Sequence, residues 1–255
     1  MNSSEVTVTL REHVAEITIS RPPTNLISLA LAHRLNEELV RLALNKELKI
    51  IVLRGAGGVF SSGINVEDLT RERVGEMMHE LDKLFENLNV PDIITLAAVN
   101  GEALGTGCEI ALFCDLCVAS ARSSFGQPEV ELALFPPVAT ALLPRLGGRN
   151  RALQLLLTGD PVDAQTAKEM GIINEVFPSN EFEERMRVFL RRIARHSHVA
   201  LSHIKRVVDG GLYEPVTRAV KMSEDIFLND LMSTSDAQEG IKAALENRPP
   251  KWFRG

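Results

Sequence analysis

Cysteine, aromatic side chains and surplus positive charge are all scarce in this 255-residue chain, and each scarcity removes a class of function. Three cysteines, an odd number, do not make the paired framework of a small disulfide-stapled scaffold. Cys108, Cys114 and Cys117 lie in one apolar stretch, which suits buried, reduced thiols. Cys114 and Cys117 form a C-x-x-C, but no second pair or nearby histidine completes a zinc set, and the H-x-H of His196 and His198 has no third ligand near it. Lys and Arg number 28 against 34 Asp and Glu, a net charge of -6, so bulk attraction to nucleic acid or an anionic lipid surface is not expected. No apolar run approaches the roughly 18 residues that a membrane span needs, and the start MNSSEVTVTLREHVAEITIS lacks a basic segment leading into an apolar one. The expectation is a cytoplasmic protein with no metal, no redox cofactor and no membrane partner.

The chain does have apolar residues, at 45%, enough for one large core with appended helices. Val6, Val8 and Leu10, then Val14, Ile17 and Ile19, alternate around a polar turn and predict a hairpin. Leu31, Leu35, Leu39 and Leu42 recur at helical spacing, and Lys49 to Leu53 reads as a buried strand. A helix is expected from Arg71 to Leu88, ended by Pro91 before a strand at Ile93 to Val99. Then come a short buried helix at Cys108 to Phe113, a strand at Leu116 to Ala119 and an irregular extended piece at Phe125 to Val130. Beyond Pro137 helices dominate, around 138–146, 149–157, 163–170, 181–195, 198–209, 215–230 and 235–246, with one strand at Ile172 to Val176. The expected fold class is α/β, with a core domain over 1–195 and a helical region over 196–255.

Two loops, Gly55-Ala-Gly-Gly-Val-Phe-Ser-Ser-Gly63 and Gly101-Glu-Ala-Leu-Gly-Thr-Gly107, each follow a predicted buried strand and allow a ligand to approach the backbone closely. The second runs into a helix, so amides near Thr106 lie at the positive helix end, where a developing oxyanion is stabilised. Neither matches a dinucleotide or Walker fingerprint. Glu109, in the first turn of an otherwise apolar helix, and Glu129, after Gly126-Gln127-Pro128, are carboxylates with little polar cover.

FSSGINVEDL, AAVNGEALGTGCEIALFCDLCVAS and SSFGQPEVELAL, in that order, resemble the crotonase (enoyl-CoA hydratase/isomerase) superfamily. RPPTNLISLALAHRL, LTGDPVDAQTAKEMGIINEVFP and DAQEGIKAALENRPPKWF extend the likeness over nearly the whole chain. The resemblance implies a spiral of β-β-α units with a C-terminal helical region that packs across subunits in a homotrimer or dimer of trimers. It implies an acyl-CoA thioester substrate, coenzyme A entering only as part of that substrate, with Ser61, Ser62, Ile64 and Asn65 along the coenzyme A path. The N–H groups of Ser62 and Thr106 would form the oxyanion hole, and Glu109 and Glu129 would be the catalytic pair that adds water to a conjugated double bond.

Several residues depart from the common pattern. Thr106 stands where many members have glycine, Asn65 where an aspartate is common, and Ala244 and Asn247 where a phenylalanine and a lysine often meet coenzyme A. After Glu129 the chain reads LALFPPVATALLPRL in place of a glycine-rich segment, so Leu134, Phe135 and Pro137 would reshape the acyl pocket. That variation is similar to cyclohexa-1,5-diene-1-carbonyl-CoA hydratases, which make 6-hydroxycyclohex-1-ene-1-carbonyl-CoA in anaerobic aromatic degradation. The alternatives are a hydratase of short linear enoyl-CoA, a double-bond isomerase or thioester hydrolase on the same scaffold, and a non-catalytic RNA-binding homologue. The last would use Arg185, Arg187, Arg191, Arg192 and Arg195, which otherwise form a solvated helix face.

Overall fold

The computed structural model describes residues 5–253. The hairpin forms as its alternation predicts: β1 (Val6–Arg11) and β2 (Val14–Ile19) pair antiparallel, and β3 (Ile50–Gly55) and β4 (Ile94–Val99) follow as near-continuous apolar runs. Next come β5 (Glu102–Leu104), β6 (Leu116–Ser120), β7 (Ser124–Gly126), β8 (Val162–Asp163) and β9 (Glu175–Phe177). The larger sheet has the order β1-β2-β3-β4-β6-β9 and is parallel from β2 onward; the smaller has the order β5-β7-β8. Unbroken apolar runs belong in a parallel sheet because both of its faces are covered.

The helices are α1 (Leu29–Ala43), α2 (Val74–Leu88), α3 (Thr106–Phe113), α4 (Pro137–Gly147), α5 (Arg149–Thr158), α6 (Ala164–Glu169), α7 (Phe182–Ala194), α8 (His198–Gly211), α9 (Val216–Asn229) and α10 (Ser235–Leu245). Ser28 caps α1 by accepting the Leu31 N–H, and Leu31, Leu35, Leu39 and Leu42 go inward as their spacing requires. On one face of the large sheet Ile50, Val52, Leu96, Ala98 and Val118 pack under Phe182, Met186 and Leu190 of α7; the opposite face carries the main core.

A structural repeat runs through this order. Each unit gives a strand to the large sheet, a short extended piece to a second layer, and then a helix: β4, β5, α3 is one unit and β6, β7, α4 another. Single bridges Ile27 to Ile64 and Ser61 to Ala103 continue the second layer through the units that contain α1 and α2. This is a spiral of β-β-α units, as the resemblance implies. The second-layer pieces are one to three residues long, too short for a periodic signal, so β5 and β8 escaped the sequence pattern. Two expectations need correction. The segment after Phe125 is not extended to Val130 but turns into a 3-10 helix at Pro128–Leu132, where Pro128 fixes the first φ. The strand expected at Ile172 to Val176 is displaced to Glu175–Phe177, because only those residues reach the edge of β6, opposite Val118 to Ser120.

A buried charge on α8 ties the helical region to the sheet. Lys205 of α8, 6% exposed, donates to Asp115 (2.7 Å) and to the Ile93 carbonyl (3.1 Å). Asp115 also accepts the Thr95 N–H (2.7 Å) and hydroxyl (3.0 Å). Asp115→Ala strands this ammonium and is expected to destabilise the chain by about 3–5 kcal/mol, read from urea unfolding. A loss below about 1 kcal/mol would mean that the pair behaves as a solvent-screened one.

Candidate active site

The loop after β3 and the loop that contains β5 meet main chain to main chain. The N–H groups of Phe60 and Ser61 donate to the Glu102 carbonyl (2.9 and 3.1 Å), and the Leu104 N–H donates to the Ser61 carbonyl (2.9 Å). A Cβ on Gly107 would run into that same Ser61 carbonyl, so α3 starts directly against the first loop. Gly105, at φ +49, turns the chain into α3, whose opening amides have no acceptor within the helix and form its positive end. Thr106 is the first residue of that end.

Every residue of α3 from Thr106 to Leu112 is buried, which accounts for its nearly all-apolar sequence and isolates Glu109 within it. Glu109 is 2% exposed, and its Oε1 accepts the N–H groups of Val138 and Ala139, 2.9 Å each, at the start of α4. Burial pushes its carboxyl up to about 7, with the nearby Glu129 charge adding to the rise. The α4 amides and the Thr106 hydroxyl oppose that rise by supporting the charged form. Glu129 sits in the 3-10 turn, closed by Ala133 in the left-handed region at φ 56. Its Oε2 is buried with no hydrogen-bond partner among the described residues, and burial raises its carboxyl as well. A Cβ on Gly105 would collide with Glu129 Oε1; a glycine is needed there for the close approach as well as for the positive φ.

Glu109, Glu129 and Thr106 line one cleft of ≈ 140 Å³. Leu134, Phe135 and Pro137, expected around an acyl group, line it too, with Phe135 69% exposed. Ile64, expected along the coenzyme A path, is part of the lining, whereas Leu69 and then Val74, Met78 and Leu81 of α2 were not foreseen. The apolar stripe of α2 is wide enough to face both the core, through Met77 and Leu84, and a cavity, through Val74 and Met78, but residue type alone does not separate the two.

Three residues of the first loop are placed differently from expectation. Ser61 is fully buried and its Oγ accepts the Gly63 N–H (3.2 Å), so its side chain does not face a ligand. The Ser62 N–H donates to the Thr24 carbonyl (2.9 Å), so it is not a free oxyanion donor here. Asn65 is held within the turn, its N–H on the Ile27 carbonyl (2.8 Å) and its Nδ2 on Asp68 (3.2 Å). The cause is common to all three: the loop is stitched to its neighbours by main-chain bonds that a single sequence does not display.

Chemically, the cleft offers apolar walls, two proton-exchanging carboxyls and a positive helix end. The three cysteines are free and buried, and burial pushes the Cys114 thiol up to about 12, so it stays protonated and inert. No group of three or more His, Cys, Asp or Glu able to hold a metal occurs among the described residues, and His198 faces the Asp92 carbonyl (2.7 Å). No helix among them is long and apolar enough to cross a membrane.

A family model described as enoyl-CoA hydratase/isomerase matches residues 9–254. A 2,3-dehydroadipyl-CoA hydratase of Escherichia coli (strain K12) is 31% identical over 255 residues, covering 99% of each chain. The mitochondrial enoyl-CoA hydratase domain-containing protein 3 of Danio rerio is 32% identical over 260 residues, covering 98% of this chain and 89% of that one. Among solved structures, an enoyl-CoA hydratase from Bacillus anthracis is 29% identical with a TM-score of 0.93, over 99% of this chain and 100% of that one.

The raised Glu109 carboxyl has a stability consequence of defined sign. Between the ordinary value of 4.5 and about 7 the folded chain holds a proton that the unfolded chain has lost, so stability falls as pH rises through that window. Glu109→Gln keeps an acceptor for the α4 amides and removes the charge. Its unfolding free energy should match the parent's at pH 4 and exceed it by up to about 3 kcal/mol at pH 8. Equal stabilities at both pH values would show that Glu109 titrates normally.

Proposed function

The chain belongs to the enoyl-CoA hydratase/isomerase family, and within it we propose a specific reaction, the hydration of cyclohexa-1,5-diene-1-carbonyl-CoA to 6-hydroxycyclohex-1-ene-1-carbonyl-CoA. The supporting observation is the cleft of ≈ 140 Å³ that holds both glutamates between apolar walls. An apolar cavity of about 150 Å³ is the size that accepts a benzene ring. A six-membered carbocycle therefore suits the space, and Leu134, Phe135 and Pro137 contribute to its walls.

Glu109 takes a proton from water as the water oxygen bonds to the ring carbon β to the thioester carbonyl. The electrons of that double bond move onto the carbonyl oxygen, and the Thr106 N–H at the start of α3 stabilises the charge. Each such preorganised donor contributes about 2.7–4 kcal/mol. Glu129 then gives its proton to the far carbon of the second double bond, and the remaining double bond returns to conjugation with the carbonyl. Ser62 joins the oxyanion hole by sharing or releasing its N–H from the Thr24 carbonyl. Coenzyme A runs along the first loop past Ile64 and the main chain of Ser62 and Asn65. The chemistry is acid–base throughout, so it calls for no cofactor.

Linear enoyl-CoA hydration uses the same pair, with the proton delivered to the α carbon, and the names borne by the relatives favour it as the second reading. Two carboxyls rather than one favour water addition over double-bond shifting. The RNA-binding reading loses support because Arg185 and Arg191 are paired with Glu181 and Glu184 on their own helix. A homotrimer or dimer of trimers built through residues 196–255 is supported by α9, which buries none of its residues in the single chain, and by Val216, Leu228 and Leu245 at 78%, 65% and 80% exposure.

Purified chain supplied with the cyclic diene and with crotonyl-CoA, products identified by mass, is expected to hydrate the diene. Glu109→Gln and Glu129→Gln should each lower that rate by about 10²–10⁴. Efficient crotonyl-CoA turnover without diene turnover would select the linear reading. Near-parental rates in both variants would remove the glutamates from the mechanism.

A further inference from the structure

The cleft is selective in charge as well as in size, an inference that rests on its holding the acyl end of a thioester as proposed above. Among the described residues, apart from Thr106, its only polar linings are Glu109 and Glu129, and no lysine, arginine or histidine lines it. The cations nearest in sequence to its α2 wall are already paired. Arg73 lies 2.8 Å from Asp68, and Lys83 lies 2.8 Å from Glu80. Asp68 is 1% exposed and holds the turn by accepting the Leu29 N–H (3.1 Å), so the arginine cannot leave without stranding a buried carboxylate. His79, beside Met78, is exposed to solvent. What faces an acyl group from this helix is Val74, Met78 and Leu81, all hydrocarbon or thioether.

We infer that the acyl group accepted by this chain is an uncharged hydrocarbon, and that Met78 and Leu81 are the residues that reject an acyl chain ending in a carboxylate. A carboxylate pushed against these side chains loses its hydration and gains no partner, and ionised Glu109, the base of the proposed reaction, carries charge of its own sign. The Escherichia coli relative is named for a thioester whose acyl chain does end in a carboxyl group; at 31% identity, the overall likeness does not determine this wall.

Hexanoyl-CoA and adipoyl-CoA make a matched test, since they have equal carbon counts, differ only at the far end and cannot be hydrated. Calorimetric binding to the full chain is expected to favour hexanoyl-CoA by roughly 100-fold. Met78→Arg should narrow that ratio to below about 10-fold by supplying a partner, and Met78→Leu should leave it unchanged. Comparable affinities in the parent chain would overturn the inference, and an unchanged ratio in a folded Met78→Arg variant would remove Met78 from it. A variant that does not fold, seen in its thermal melt, leaves the parent comparison to decide. Binding does not depend on hydration: a preserved preference in a chain that hydrates no thioester would refute the proposed reaction and leave this inference standing.

Discussion

The site depends on a contact between two stretches of main chain. The first loop and the β5 loop are joined by hydrogen bonds among Ser61, Glu102 and Leu104, with Gly107 closing the gap without a side chain. Such a contact has little slack, because a Cβ on Gly107 would overlap the Ser61 carbonyl and force the loops apart. It follows that the position of the Thr106 amide is set by the register of the strands on either side. Sheet geometry thereby becomes site geometry, a more rigid support than loop side chains supply.

The two glutamates arrive at this contact by different routes and in different electrostatic states. Glu109 is carried on a helix buried from Thr106 to Leu112, and its charged form is supported by two α4 amides. Pro137 opens α4 and has no N–H, so the first donors available are those of Val138 and Ala139. The proline-rich departure after Glu129 therefore contributes to the walls of the cleft and also places the donors that hold Glu109. Glu129 has no equivalent support for its Oε2, only the space that Gly105 leaves beside its other oxygen.

Much of this was legible in the amino-acid order because burial is periodic. The leucines of α1, the apolar β3 and β4, and the all-apolar α3 with its single glutamate each have the pattern their environment requires. The pairing of Glu109 with Glu129 was legible only through family resemblance, since nothing in spacing brings positions 109 and 129 together. What stayed hidden has three physical causes. Second-layer strands such as β5 and β8 are too short for a period to repeat. Main-chain partners, such as the Thr24 carbonyl that takes the Ser62 N–H, depend on how distant loops cross and leave no mark on residue type. The α2 wall was hidden for a third reason: Met78 has the same chemistry whether it lines a cavity or fills a core.

That wall links recognition to chemistry. The dominant cause of the raised Glu109 carboxyl is burial, with the Glu129 charge secondary, so the apolar surroundings that select a hydrocarbon acyl group also bring its proton affinity near neutrality. Near neutrality a proton moves to or from a carboxyl with little driving force lost in either direction, which suits the reaction proposed for this pair, in which one group removes a proton and the other delivers one. Burial raises both carboxyls, and the Glu129 charge raises Glu109 further, so the titration of Glu109 depends on the state of its neighbour. An acyl group entering the cleft displaces further water, strengthening the same effect. Substrate that fits the walls thus completes the conditions for its own protonation, whereas an acyl group that let water or charge into the cleft would weaken them.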